Sequence, residues 1–172
     1  MQVAVLSDMH VPGQADALPD EFADLVADAD HVVHAGDFGS SDAIEAVRDL
    51  ADDLTAVYGN ADPVAAAEVG DVTFVVHHGE VTPVERALYH AAEGIVKQRD
   101  DRLDAVADVA DARAEEPMVG VAGHSHEVED EVHEGVRVLN PGSSTAAGPV
   151  EEATMMTAAV HDGDVEVTLH ET

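Results

Sequence analysis

The amino-acid sequence predicts a mixed α/β fold arranged as a layered sandwich, and three observations support this. Short apolar runs rich in β-branched residues recur along the first two thirds of the chain. Amphipathic helical patterns separate these runs, whereas the last third carries strand-like segments around glycine-containing turns. The chain has 172 residues, so we expect residues 1–172 to form one domain.

Five apolar runs are predicted to be strands, because near-continuous β-branched runs are typical of strands that are covered on both faces. These runs are 3–6, 32–35, 54–58, 72–76 and 118–122. Each run stops at a polar or glycine-containing motif. The polar residues are therefore expected at the ends of strands.

Helices are predicted between these runs. Segments 18–29 and 41–51 place their apolar residues on one face at helical spacing, and Asp42 and Glu45 stand at the spacing of a capping box. A longer helix is predicted from Thr82 to about Arg113, with Pro83 at its first position.

The C-terminal part is predicted to contain antiparallel strands. Segment 127–140 forms two strands around Glu134-Gly135, and segment 153–171 forms a hairpin that turns at Asp162-Gly163. The chain thus begins as βαβα and ends in antiparallel pairs.

The charge balance excludes several partners. The chain has 7 Lys and Arg against 37 Asp and Glu, and a net charge of −30. Such a surface repels nucleic-acid backbones and anionic membranes, so we expect neither as a partner.

The absence of cysteine excludes disulfides, thiolate metal ligands and a cysteine nucleophile. No signal-peptide pattern or long apolar stretch is found, which leads us to expect a soluble, cytoplasmic protein.

The acidic residues are interleaved with Ala, Val and Leu at helical spacing, which indicates solvated faces of folded helices and a surface like that of a halophile's protein. Repulsion between these charges destabilises the fold at low ionic strength, whereas molar salt shortens the Debye length to about 3 Å. We therefore expect the melting temperature to rise between dilute buffer and molar KCl. An unchanged melting temperature in a thermal denaturation series would contradict the halophile hypothesis.

Metal-ligating residue types follow the five predicted strands. Ligands of open α/β sheets bind beyond the carboxyl ends of strands, so these residues are expected to converge. Carboxylate, amide and imidazole donors suit divalent ions such as Mn²⁺, Ni²⁺, Fe²⁺, Zn²⁺, Co²⁺ or Mg²⁺, and the donors suffice for two ions. The residues are Asp8, His10, Asp37, Asn60, His77 or His78, His124 and His126. Taken singly, several of them fit a turn or a helix cap; together they favour a shared site.

The motifs "DMH", "GD", "GN", "HHG" and "GHSH", in this order, resemble the signature of the calcineurin-like metallophosphoesterases. The following "NPGS" at 140–143 resembles the small single-domain phosphodiesterase branch of that superfamily. The resemblance implies a four-layer αββα sandwich of two mixed β-sheets flanked by helices, with a site for two divalent metals, Mn²⁺ foremost. We expect "NPGS" to shape a turn near the metals, with Asn140 or Ser143 placing backbone groups, and assign it no catalytic role.

The resemblance also implies a ligand set. Asp8, His10 and His126 would hold the first metal, Asp37 would bridge, and Asn60, His78 and His124 would complete the second. Of these residues, Asp37, Asn60 and His124 are assigned as catalytic. A hydroxide bridging the two metals would attack a small phosphate ester directly, which makes a metal-dependent phosphodiesterase the first expectation.

Other interpretations stay open. A related protein of the retromer coat has this fold and serves as a protein-binding scaffold with little catalysis, and a phosphomonoesterase or dinucleotide polyphosphatase also fits. Two positions depart from the family pattern: Ala61 stands where many members have a histidine for the leaving group, and Glu80 where the branch often has another histidine. The remaining histidines match no motif and are expected to be surface or core residues: His31, His34, His90, His133, His161 and His170. A homo-oligomer stays open as well.

Overall fold

Ten strands and three helices make up the part of the chain that the computed structural model describes, which is residues 1–57, 59, 64–79 and 95–172. The strands are β1 (Gln2–Leu6), β2 (His31–His34), β3 (Leu54–Ala56), β4 (Ala65–Val69), β5 (Val72–Val76), β6 (Met118–Val121), β7 (Val128–His133), β8 (Val136–Pro141), β9 (Thr154–His161) and β10 (Asp164–Glu171). The helices are α1 (Asp20–Ala27), α2 (Ser41–Leu50) and α3 (Ile95–Asp111).

The strands form two five-stranded mixed sheets, in the orders β10-β9-β1-β2-β3 and β4-β5-β6-β8-β7. In the first sheet β1, β2 and β3 are parallel, and in the second β5, β6 and β8 are parallel. The parallel strands end in register: Leu6 lies opposite His34, and Val76 lies opposite Val121. The loops that follow the strands of one sheet therefore leave it at the same end.

Alternation along the strands separates three layers of core. Val3 and Val5 face the space between the sheets, where they pack with Phe74 and Val121. Their neighbours on the other face of β1 pack against α1 and α2, and Val75 and Val138 on the outer face of the second sheet pack against α3. The resulting order of layers is helix, sheet, sheet, helix, so the predicted αββα fold is confirmed.

Two local expectations need correction. Strand β4 was not predicted, because its sequence "AAAEV" has one β-branched residue; it forms by antiparallel pairing with β5. Helix α2 is capped by Ser40, whose Oγ accepts the Ala43 N–H at 3.1 Å, and the capping-box spacing of Asp42 and Glu45 does not mark its start. The predicted start of the third helix at Thr82 lies outside the described residues. Of the helices that the structure describes, none is long and apolar enough to cross a membrane.

Candidate metal centre

The carboxylate of Asp8 is the innermost group of the candidate site. Its side chain is fully buried, directly after β1. One oxygen, Oδ2, accepts hydrogen bonds from Ser7 Oγ (2.5 Å) and from the backbone N–H of His124 (2.9 Å). The other oxygen, Oδ1, has no hydrogen-bond partner among the described residues, and it lies 3.4 Å from His126 Nε2 and 3.8 Å from His10 Nε2. One oxygen is thus anchored while the other is left for a ligand.

Asp37 lies between two groups of possible ligand atoms. Its Oδ2 is 3.7 Å from His10 Nε2 and 3.4 Å from His78 Nε2. The ligand atoms of Asp8, His10 and His126 lie within 4.8 Å of one another, and so do those of Asp8, Asp37 and His78. An aspartate that reaches both sets of imidazoles is suited to bridge two cations.

Backbone carbonyls fix the orientation of two imidazoles. The Nδ1–H of His78 donates to the Ala35 carbonyl (2.6 Å), and the Nδ1–H of His126 donates to the Ala147 carbonyl (2.7 Å). In each neutral ring the lone pair is then on Nε2, which faces a carboxylate at 3.4 Å. Two electron-rich atoms at this distance require a proton or a cation between them. The donor set therefore fits a divalent metal, whose histidine ligands are typically held in this way through their second nitrogen.

The charges of the site support the same conclusion. Burial raises the pKa of Asp8, but the nearby His126 imidazole and the hydrogen bond from Ser7 outweigh this and lower it. The contact with His78 lowers the pKa of Asp37. Burial lowers the pKa of His78, but Asp37 and the Ala35 carbonyl have the larger effect together, so the pKa is raised. The contact with Asp8 raises the pKa of His126. A divalent cation bound between these imidazoles and carboxylates would take the place of a proton there.

The pH dependence of the metal-free fold follows from these shifts. The raised pKa values of His78 and His126 stabilise the fold fully below the unfolded value of 6.5, and this stability is lost as the pH rises through the folded-state values. The lowered values of Asp8 and Asp37 add stability above 3.8, which is lost as the pH falls through the folded-state values. Burial also lowers the pKa of His34, to about 3, so its neutral ring adds stability that is lost as the pH falls below 6.5. We therefore expect the free energy of unfolding of metal-free protein in high salt, measured by urea denaturation, to be greatest near pH 6.5. A steady increase up to alkaline pH would contradict this.

The backbone at the site adopts an uncommon conformation. Five of the eight non-glycine residues with positive φ in the described part of the chain are predicted ligands. They are Asp8 (φ 51°), His10 (48°), Asp37 (56°), His124 (70°) and His126 (58°). Residues other than glycine pay for this conformation with about 1–3 kcal/mol each, and such residues cluster at functional sites.

The remaining predicted site residues are placed differently. Asn60, Ala61 and Glu80 lie outside the described residues. The ring of His124 lies edge-on to that of His78, with ring centroids 5.3 Å apart, and its backbone N–H holds Asp8. His77 is not in either group of ligand atoms; its Nδ1 accepts the N–H of Gly79 at 3.1 Å.

The "NPGS" segment forms hydrogen bonds to the loops that follow β1 and β6, which carry Asp8 and His124. Ser143 Oγ donates to the Asp8 carbonyl (2.8 Å) and accepts the Ala147 N–H (2.8 Å). Asn140 is fully buried, and its Nδ2 donates to the Gly123 carbonyl and to Ser125 Oγ, both at 3.0 Å. The contacts with backbone carbonyls agree with the expectation that Asn140 or Ser143 places backbone groups near the metals, whereas the motif itself contains no information about which distant loops supply the carbonyls.

Gly123 is required by close packing. A Cβ at this position would collide with Ser7 Oγ and come within 2.9 Å of Asp8 Oδ2. The β6 loop can therefore approach the Asp8 carboxylate only with glycine here.

Comparison with known proteins agrees with the geometry of the site. Residues 1–163 match the calcineurin-like phosphoesterase superfamily domain. The "Probable metallophosphoesterase" of Methanothermobacter thermautotrophicus is 27% identical over 169 residues, which cover 91% of this chain and 84% of that protein.

Two solved structures are similar in fold. Vps29 from Chaetomium thermophilum has a TM-score of 0.71 at 16% identity, covering 100% of this chain and 95% of that one. An archaeal phosphodiesterase has a TM-score of 0.60 at 19% identity, covering 99% of this chain and 100% of the other. At these identities the likeness concerns the fold.

Proposed function

The chain belongs to the calcineurin-like phosphoesterase superfamily, and from this we propose that it is a metal-dependent phosphodiesterase that hydrolyses small phosphate esters. The family implies divalent metals and phosphoester hydrolysis. The observation that carries the proposal is the fully buried Asp8 Oδ1, which has no hydrogen-bond partner among the described residues and faces the imidazoles of His10 and His126.

The proposed site holds two divalent ions, with Mn²⁺ as the first choice. Asp8, His10 and His126 hold one ion, and Asp37 is shared. His78 belongs to the second, together with His124 and with Asn60, which lies outside the described residues. Hard or borderline oxygen and nitrogen donors without thiolate support this choice of metals.

Divalent cations bound in such a pair supply a hydroxide nucleophile at neutral pH and neutralise charge on the phosphoryl oxygens. The chain's own residues hold the cations and orient the imidazole ligands. Asp8 and Asp37 balance only part of the charge of two dications, so the site is a positive spot on a protein of net charge −30. An anionic phosphate ester is attracted there and repelled by the rest of the surface.

A diester with a good leaving group is the proposed substrate class. The "NPGS" segment supports the diester through its resemblance to the phosphodiesterase branch. Ala61 supports the good leaving group, because its methyl group cannot donate a proton to a departing alkoxide. The archaeal phosphodiesterase and Vps29 share the fold, which is compatible with an enzyme and with a scaffold alike.

The proposal is tested by hydrolysis of bis-p-nitrophenyl phosphate with Mn²⁺ or Ni²⁺ in high salt. We expect turnover by the unmodified chain, loss of it in His126→Gln, and unchanged turnover in the control His161→Gln, whose side chain is exposed in the β9–β10 hairpin. Faster hydrolysis of p-nitrophenyl phosphate or of diadenosine substrates would move the assignment to a phosphomonoesterase or a dinucleotide polyphosphatase. No rate with any divalent metal would favour a protein-binding scaffold.

A further inference from the structure

Three strand ends around the candidate site share one local structure. In each, a side chain at the strand end accepts the N–H of the glycine two residues later, and that glycine has positive φ. The pairs are His34 Nδ1 with Gly36 (3.1 Å, φ 105°), His77 Nδ1 with Gly79 (3.1 Å, φ 99°) and Asn140 Oδ1 with Gly142 (3.0 Å, φ 77°). Asparagine commonly makes this turn. At the other two strands a histidine takes the part of the asparagine.

His34, at the end of β2, belongs to no sequence motif and is fully buried. Its ring stacks on that of Phe38, with centroids 3.6 Å apart and an interplanar angle of 13°. Burial lowers the pKa of His34 to about 3, so the ring is neutral at physiological pH. Since Nδ1 accepts a hydrogen bond, the ring proton is on Nε2.

The peptide unit that hydrogen-bonds to His34 is the same one that orients His78. The N–H of the Ala35–Gly36 peptide donates to His34 Nδ1, and the C=O of the same peptide accepts from His78 Nδ1–H at 2.6 Å. A trans peptide directs its N–H and C=O to opposite sides, so the plane of this unit is held from both. The next carbonyl, that of Gly36, accepts the backbone N–H of Asp8 at 2.9 Å.

We propose that His34 is a positioning residue: as a hydrogen-bond acceptor, it fixes the Ala35–Gly36 peptide and thereby points His78 Nε2 at the metal centre. The proposal rests on the proposed function for the identity of the ligand, while its geometry concerns the chain alone. Loss of partners that orient a metal-bound histidine typically lowers metal affinity by about 10- to 100-fold.

The alternative role for His34 is packing against Phe38, and two substitutions separate the roles. His34→Phe keeps an aromatic ring for stacking but has no acceptor. His34→Asn loses the ring but keeps an acceptor that forms the same turn, as Asn140 does. Packing predicts a functional Phe variant and an impaired Asn variant, whereas positioning predicts the reverse.

The test is calorimetric titration of the purified chain with Mn²⁺ in high salt, with His31→Phe as control. His31 lies at the other end of β2, where Nε2 contacts Thr55 Oγ1. We expect two bound ions in the unmodified chain, His34→Asn and His31→Phe, and one site weakened by about 10- to 100-fold in His34→Phe. Binding of two ions by His34→Phe with unchanged affinity would overturn the proposal. Should that variant not fold, impaired binding by a folded His34→Asn would overturn it instead.

A second readout uses no metal. In metal-free protein at alkaline pH, ¹⁵N spectra of the imidazoles report which nitrogen of His78 carries the proton. We expect Nδ1–H in the unmodified chain and His34→Asn, and a mixture of tautomers in His34→Phe. An unchanged tautomer in His34→Phe would overturn the positioning role, whereas a chain that binds no metal but shows the expected tautomers would overturn only the proposed function.

Discussion

Asp8→Asn is expected to lower kcat/KM for bis-p-nitrophenyl phosphate by about 1,000-fold or more at saturating Mn²⁺, while leaving the fold intact. The amide oxygen of Asn can take over the hydrogen bonds that Ser7 Oγ and the His124 N–H donate to Oδ2. The amide nitrogen then replaces the free oxygen and donates to the His126 Nε2 lone pair, 3.4 Å away from that oxygen. A metal ligand is lost, and a second one becomes occupied.

A matched control is Asp53→Asn. Asp53 is 72% exposed just before β3, at the opposite end of the first sheet, and its carboxylate contacts His31 Nδ1. We expect its activity to equal that of the unmodified chain. Circular dichroism checks that both variants are folded. Activity of Asp8→Asn within about tenfold of the control would show that Asp8 does not hold the catalytic metal.

Saturating Mn²⁺ is expected to raise the melting temperature by about 8–16 °C relative to protein from which a chelator has removed the metal, both measured in molar KCl. A ligand at about 1,000 times its dissociation constant stabilises the folded state by about 4 kcal/mol, and about 2–4 °C per kcal/mol is typical at this chain length. The reason is that the lone pairs on Nε2 of His78 and His126 face carboxylates at 3.4 Å. A cation bound between them removes the repulsion between these electron-rich atoms.

Asp37→Asn is expected to remove most of this rise, since Asp37 Oδ2 lies near the imidazoles of both groups. The substitution itself is mild, because the side chain is 30% exposed. Differential scanning calorimetry with and without chelator measures the effect. A rise that persists in full in Asp37→Asn would exclude a shared carboxylate, and no rise in the unmodified chain would exclude a preformed metal site.

The convergence of the candidate ligands that the structure describes could be predicted from the sequence, because the fold class determines it. Asp8, Asp37, His78 and the "GHSH" segment each follow a parallel strand, and parallel strands of one sheet end on the same side. The pattern of β-branched runs was sufficient to identify those strands. Local sequence therefore contained most of the information about where the candidate site lies.

The partners of the supporting residues could not be predicted, because most of them lie far away in the chain. Ser143, for example, bonds to a loop 135 residues earlier. Strand β4 was missed for another reason, since its alanine-rich sequence forms a strand only through antiparallel pairing with the adjacent β5. His34 matched no motif, and was expected to be a surface or satisfied core histidine. The structure places it in the core, but the meaning of its Nδ1 is apparent only once the Ala35 carbonyl is seen beneath His78.

At the five predicted ligands with left-handed backbone, low backbone strain and metal binding favour different residue types. Glycine or asparagine at His10 or His126 would adopt this backbone conformation with less strain, yet each exchange would remove an imidazole from the candidate site. The strain of the local backbone and the donors that a metal centre needs thus make opposite demands on these positions.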